Sequence, residues 1–201
     1  MSVDFGYFAL FFGFGVMWHI LGSRLFGFLN LLIREDAQFN RNPAAVWAGT
    51  GALFGLDMTY IGGNIGAGDD EGTTFVSAGL ATGVWFFLWL FFESVSDSSE
   101  AVTVERDVAS GVRLGGFLAA NGLILGRAVA GNWASFPDTL SDLMRDGWPA
   151  VVVAAVAAVV ETKWRPTLKT PEPEIAERGI IPAFTYLGVA VIWVLWLGWW
   201  K

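Results

Sequence analysis

The chain has no cysteine, a single histidine, and charge on only 15% of its 201 residues. Without cysteine there is no disulfide framework and no thiolate metal site. With His19 alone, no paired histidine–carboxylate set exists. Nor is there a nucleophile elbow, a His-Glu-x-x-His helix or a Walker loop. The glycine-rich run Gly62–Gly68 leads into Asp69, Asp70 and Glu71, which would repel a phosphate. The sequence therefore offers no catalytic residue, no metal site and no cofactor, and the chain reads as non-enzymatic. Basic residues are scarce as well. A net charge of −7 with no basic stripe excludes nucleic acid as a partner.

What is abundant is apolar bulk. Hydrophobic residues make up 54% of the chain, including eleven tryptophans and seventeen phenylalanines, more than a water-facing surface could carry. Charges cluster between apolar stretches of about 20 residues, the length that crosses a roughly 30 Å hydrocarbon core as helix. An all-α integral membrane protein is predicted. Asp4 and the lack of a basic n-region mark the first apolar stretch as a retained span, not a cleaved signal.

Six spans are predicted. They run over Val3–Ser23, Pro43–Ile61, Thr73–Phe92, Val108–Ala130, about Leu140 to Lys163, and Ile180–Trp200. Leu25–Ile33 is also apolar, so one long helix through Ile33 is an alternative. The spacing of the repeat described below ends the first span at Arg24, and Phe26–Gln38 then reads as an interfacial segment. The fifth carries Arg145, Asp146 and Pro149 near its start, so neighbouring protein must shield them. Asn42 and Asp107 are expected N-caps, and Pro43 suits a first helical position.

One stretch recurs. Arg41-Asn42-Pro43-Ala44-Ala45 leads into Gly51 and Gly55; Arg106-Asp107-Val108-Ala109-Ser110-Gly111 leads into Gly115-Gly116; Arg178-Gly179-Ile180 leads, more faintly, to Gly188. The chain thus reads as three two-helix repeats, 3–64, 73–131 and 140–200, the third degenerate. Basic residues concentrate on the connections that precede these stretches. That side should be cytoplasmic, which puts both termini on the non-cytoplasmic side. Units in the same orientation should surround an axis along the membrane normal.

The Asn42-Pro43-Ala44-Ala45 stretch with its glycines, and the Asp107 copy, resemble the bacterial inner-membrane family catalogued as domain of unknown function 350. The resemblance covers about residues 8–132. It implies an inner-membrane location and tandem two-helix units, and it implies no reaction. Asp107 stands where the family has asparagine, and the third pair of helices is an addition.

Pairs of glycines one helical turn apart, Gly51/Gly55, Gly79/Gly83 and Gly111/Gly115, are expected helix-packing positions. Asp57 lies inside the second span, where a carboxylate costs about 2.5–3.5 kcal/mol and needs a partner or water. Asn121 stands at nearly the same depth in the second repeat, so the two could converge on the repeat axis as a polar site. His19 is a possible cofactor ligand, for haem or pigment, although burial against a carbonyl suits it better. Arg113 and Arg127 are expected to snorkel to opposite faces as anchors, Arg113 with Glu93 as a possible partner. The leading expectation is a structural or accessory subunit, in contact with the lipid bilayer and with other membrane subunits or copies of itself. The alternative is a small ion channel or transporter lined by Asp57 and Asn121.

Overall fold

The computed structural model describes residues 5–65, 71–131, 135–166 and 174–198. Among them there is no strand. Seven helices follow in order: α1 (Phe5–Leu25), α2 (Pro43–Gly63), α3 (Glu71–Ser96), the short α4 (Ser98–Thr103), α5 (Val108–Val129), α6 (Phe136–Trp164) and α7 (Ile181–Leu197). A 3₁₀ turn (Phe26–Leu29) and a π-helical turn (Arg34–Phe39) join α1 to α2; another π-helical turn (Ile175–Ile180) leads into α7.

Five segments are long and apolar enough to cross a membrane: Phe5–Leu29, Gly72–Ser96, Val108–Val129, Phe136–Trp164 and Ile175–Leu197. The chain is a multi-pass helical membrane protein by this measure. The remaining long helix, α2, has 21 residues but is rich in glycine, alanine and threonine and contains Asp57. Its composition suits contact with protein, and it is packed between α1, α3 and α5.

The core is the α2–α5 pair. The two helices run parallel and touch through glycines. A methyl group on Gly51 would strike the backbone of Gly115, one on Gly111 that of Ala44, one on Gly122 that of Gly55, and one on Gly126 that of Met58. Small residues permit this backbone approach where no hydrophobic force draws helices together in lipid. Gly51, Gly55, Gly111 and Gly115 are all at helix contacts of this kind. Gly79 and Gly83 are not: Gly79 faces the edge of the Trp18 ring and nothing lies near Gly83. The reason is that α3 turns its large residues, Trp85, Leu88, Trp89 and Phe92, into the core. The Trp85 indole crosses Gly55 and donates to the Leu118 carbonyl at 2.9 Å.

Both long parallel helices begin the same way. Arg41 and Arg106 lie in the left-handed region, with φ of 49° and 58°. The Asn42 amide then donates back to the Asp36 carbonyl at 3.0 Å and the Asp107 amide to that of Ala101 at 2.9 Å. Asn42 caps α2 by accepting from Ala44 N–H at 3.0 Å, and Asp107 caps α5 by accepting from Ser110 N–H at 2.7 Å. Pro43 takes the first turn of α2. Arg178 has no left-handed turn; its π-helical segment runs directly into α7.

Other expectations change. Ser94–Glu105 is not a plain polar linker, because Glu93 accepts from the Ser98 hydroxyl at 2.9 Å and the Ser99 amide at 3.0 Å and so starts α4. Glu93 is thus no partner for Arg113. The fifth predicted span begins earlier, at Phe136 under a Ser135 cap. Its Arg145 pairs with Asp142 at 2.7 Å and Asp146 at 3.0 Å. Pro149 brings no N–H to the α6 ladder, and nearby the Trp193 indole donates to the Asp146 carbonyl at 2.8 Å. In the predicted aromatic belt, Trp193 and Trp196 are in contact, while Trp199 and Trp200 lie outside the described residues.

Phe26–Gln38 is the largest correction. Phe26, Leu29 and Leu31 are buried, with the Phe26 ring centroid 5.2 Å from Trp89 and 6.0 Å from Trp85. Ile33 packs on Gly49 of α2. Asn30, at φ 57°, turns the chain there. Phe26–Ile33 is thus a broken continuation of α1 along the core, while Arg34, Glu35 and Gln38 stay exposed. The spacing of the repeat placed the end of the first span at Arg24; the aromatic slot beside α3 takes the chain further along the core.

Candidate functional site

Asp57 does not face Asn121. Gly55 and Gly62 point at α5, and two residues past Gly55 the helix has turned about 200°. Asp57 therefore looks toward α1, where its Oδ1 lies 2.8 Å from His19 Nδ1. The pair is half-exposed, with His19 at 41% and Asp57 at 43%. His19 is thus not buried against a carbonyl; it is joined to a carboxylate in an open cleft. With Nδ1 engaged, Nε2 is the ring nitrogen left for a ligand or a proton. A second haem ligand would have to be something other than histidine.

The helices α1 and α2 run antiparallel and touch along a narrow line. Gly22 sits against Leu56, His19 meets Asp57, and Gly15 leaves room for the Tyr60 ring. The Tyr60 hydroxyl donates to the Phe11 carbonyl at 2.7 Å. Farther in, the Trp18 indole donates to Thr82 Oγ1 at 3.3 Å, and Thr82 and Thr59 hydroxyls are 2.8 Å apart.

Two clefts meet at His19. One, of about 360 Å³, is apolar and lined by Phe11, Phe12, Gly15, Val16, Ile20, Tyr60 and Ile61 beside the pair. The other, of about 480 Å³, runs past Ser23, Arg24 and Leu53 to Arg34, Glu35 and Gln38. The broken segment forms its wall. Irregular backbone at membrane depth is tolerated where it is buried in protein or lines a cavity, and this segment does both.

Asn121 lies in the interior of α5, 1% exposed, and neither its amide nitrogen nor its oxygen has a partner. Trp89 Nε1 and the Tyr186 hydroxyl are likewise buried without one. The expected convergence of Asp57 and Asn121 is absent, because the axis between α2 and α5 is filled by their own backbones.

The arginines expected as anchors are in the interior. Arg113 is 2% exposed and Glu161 0%. Arg113 Nε donates to Glu161 Oε2 at 2.5 Å and Nη2 to Oε1 at 2.9 Å, with the Ser110 hydroxyl donating to the same Oε1 at 2.6 Å. Arg113 also donates to the Arg178 carbonyl, tying α5 to the turn before α7. This bidentate geometry is the strong form of a charge-assisted contact, and the capping carboxylate of Asp107 lies 4.0 Å from Arg113 Nη2. Arg127 closes the far end, donating to Gly198 O at 2.6 Å and Leu197 O at 3.2 Å, where a cation suits the last carbonyls of a helix. Sequence reasoning placed Glu161 within the end of the fifth span but gave it no role, because its partner Arg113 is 48 residues away.

Comparison with protein-family models, with curated proteins and with solved structures finds no match.

Proposed function

We propose that the protein handles protons across the membrane, and that the His19–Asp57 pair is the group that takes up and releases them. One distance carries the reading: the 2.8 Å contact between His19 Nδ1 and Asp57 Oδ1, placed where the two clefts meet. A histidine and a carboxylate in hydrogen-bond contact can pass a proton between them, and ionisable residues inside a span are functional candidates by default. The cleft running to Arg34 and Glu35 gives polar access from one side. Reconstituted vesicles holding a pH-sensitive dye test the proposal. Wild-type protein should dissipate an imposed pH difference, and Asp57→Asn and His19→Gln should abolish the response; equal rates in all three would discard it.

The architecture that goes with this function is six spans, α2 included, built as three two-helix units. The matching left-handed turns at Arg41 and Arg106 and the parallel, glycine-matched α2 and α5 support the first two units. The missing turn at Arg178 is in keeping with a degenerate third. The resemblance to domain of unknown function 350 fits the same units and favours a bacterial inner membrane with both termini on the non-cytoplasmic side.

A second reading, a structural subunit packing against other membrane chains, is favoured by α1. Its outward residues Phe5, Phe8, Phe12 and Met17 are all more than half exposed. Purification in mild detergent separates the two: a large stoichiometric complex favours the subunit, a small particle active in vesicles favours proton handling.

A further inference from the structure

Asp57 is paired on one side only. Its Oδ1 meets His19 at 2.8 Å, and among the described residues no other group pairs with this carboxylate. Asp57 lies fourteen positions past Pro43, about 21 Å along the 21-residue α2, in the half of the helix away from Arg41. The apolar cleft occupies the same half, between residues 11–20 of α1 and 57–61 of α2. Phe11, Phe12 and Tyr60 give it three aromatic rings, and the Tyr60 hydroxyl is taken up by the Phe11 carbonyl. His19 and Asp57 are the only other polar side chains of its described lining. Arg24, Arg34 and Glu35 line the other cleft, with Arg24 five residues, about 7.5 Å, farther along α1 than His19. While it holds its proton, the His19–Asp57 pair is neutral. Once the proton has gone, a single negative charge borders a cleft whose described lining holds no cation, and a carboxylate at that depth requires a counter-charge or water.

We infer that the apolar cleft binds a lipophilic organic cation in exchange for the proton of the His19–Asp57 pair. One proton leaves as one cation enters, so charge is conserved. The Asp57 carboxylate supplies the counter-charge, and aromatic faces attract a cation that comes within about 6 Å of a ring centre. The size is suitable: about 360 Å³ falls at the lower end of small-molecule sites, roughly 300–1,000 Å³. A metal ion would fare worse, since hard cations such as calcium and magnesium take about six or more oxygen ligands and this cleft offers one carboxylate. The helix that forms one wall, α1, has none of its span window buried within the protein. The cleft is therefore open toward lipid, from which a lipophilic cation can enter. This inference rests on the reading of the pair as a proton carrier and adds what the proton is exchanged for.

Calorimetric titration of the detergent-purified full chain is the test, with tetraphenylphosphonium as probe and tetraphenylborate, the same shape with the opposite charge, as control. At pH 8 the phosphonium should bind at least tenfold tighter than the borate, and its binding should weaken toward pH 5 as protons compete for the pair. Asp57→Asn should remove the preference, while an unchanged thermal melt shows that the fold survives. Val16→Trp, which fills the cleft, should weaken phosphonium binding at least tenfold and leave Asp57 in place. Equal affinity for the two ions, a preference that survives Asp57→Asn, or Val16→Trp without effect overturns the proposal. Phosphonium binding that is the same at pH 8 and pH 5 overturns the exchange. Proton flux in vesicles is read separately. Flux without phosphonium binding overturns this inference and leaves the proton reading standing; pH-dependent binding without flux supports the site and discards transmembrane proton movement.

Discussion

Gly51 of α2 and Gly115 of α5 lie so close that neither helix could carry a methyl group at that point without moving. This contact, repeated from Ala44–Gly111 to Met58–Gly126, sets where everything else sits. It brings two backbones together, leaves no passage between them, and turns Asp57 away toward α1.

Substituting Gly51 or Gly115 by valine should therefore force α2 and α5 apart. Overpacking of this kind costs about 1–3 kcal/mol, and more where backbone is the obstacle. Thermal unfolding in detergent should register the loss, while Gly83→Ala, which meets nothing and favours the helix by about 0.4–1 kcal/mol, should not lower the midpoint. Equal effects at the two sites would contradict the packing.

Glu161→Ala should be among the most damaging single changes. It strips the buried Arg113 guanidinium of its bidentate partner and leaves only Asp107 at 4.0 Å, a loss of about 3–5 kcal/mol. Arg113→Met together with Glu161→Leu should recover much of that stability, because both charges leave together. A double variant no better than the single one would show that the pair does something other than balance charge.

Asn42→Ala removes an N-cap worth about 1 kcal/mol and also the donor to the buried Val102 carbonyl. Asn42→Asp keeps the cap acceptor but sets a carboxylate oxygen against the Val102 carbonyl at a site only 1% exposed, where an unpaired charge is costly. Both variants should therefore be less stable than the wild type, measured on one denaturation scale.

Asp57→Asn should barely change stability, since a half-exposed pair contributes at most about 1 kcal/mol. Any loss of proton flux in that variant then reflects the site and not unfolding. A melt lowered as far as that of Glu161→Ala would show that the pair is structural.

The crossing of α2 can be settled by labelling, and the absence of cysteine makes this clean. Single cysteines at Ser2 and Lys201 should both react with an impermeant maleimide from the same side if there are six spans. Reaction from opposite sides would mean that an odd number of segments cross.

Composition alone determined the class of protein. With 54% hydrophobic residues and charges gathered between apolar runs, helices in lipid are the economical way to satisfy the backbone. Local rules also carried far: Asn42, Pro43 and Asp107 start helices through short-range bonds between neighbours, so spacing along the chain is enough to find them. What sequence could not supply was which side chains meet across helices. Whether Asp57 faced Asn121 or His19 depended on the rotation of α2, which is set by its glycines against α5. Glu161 pairs with Arg113 only because α6 returns alongside α5, and Phe26–Ile33 leaves its interfacial pattern only because Trp85 and Trp89 offer it a slot. Those relationships arise from tertiary packing, where partners far apart in sequence share one small volume. The repeated arginine-led stretch therefore shapes the scaffold, and the candidate chemistry lies on the face it turns outward.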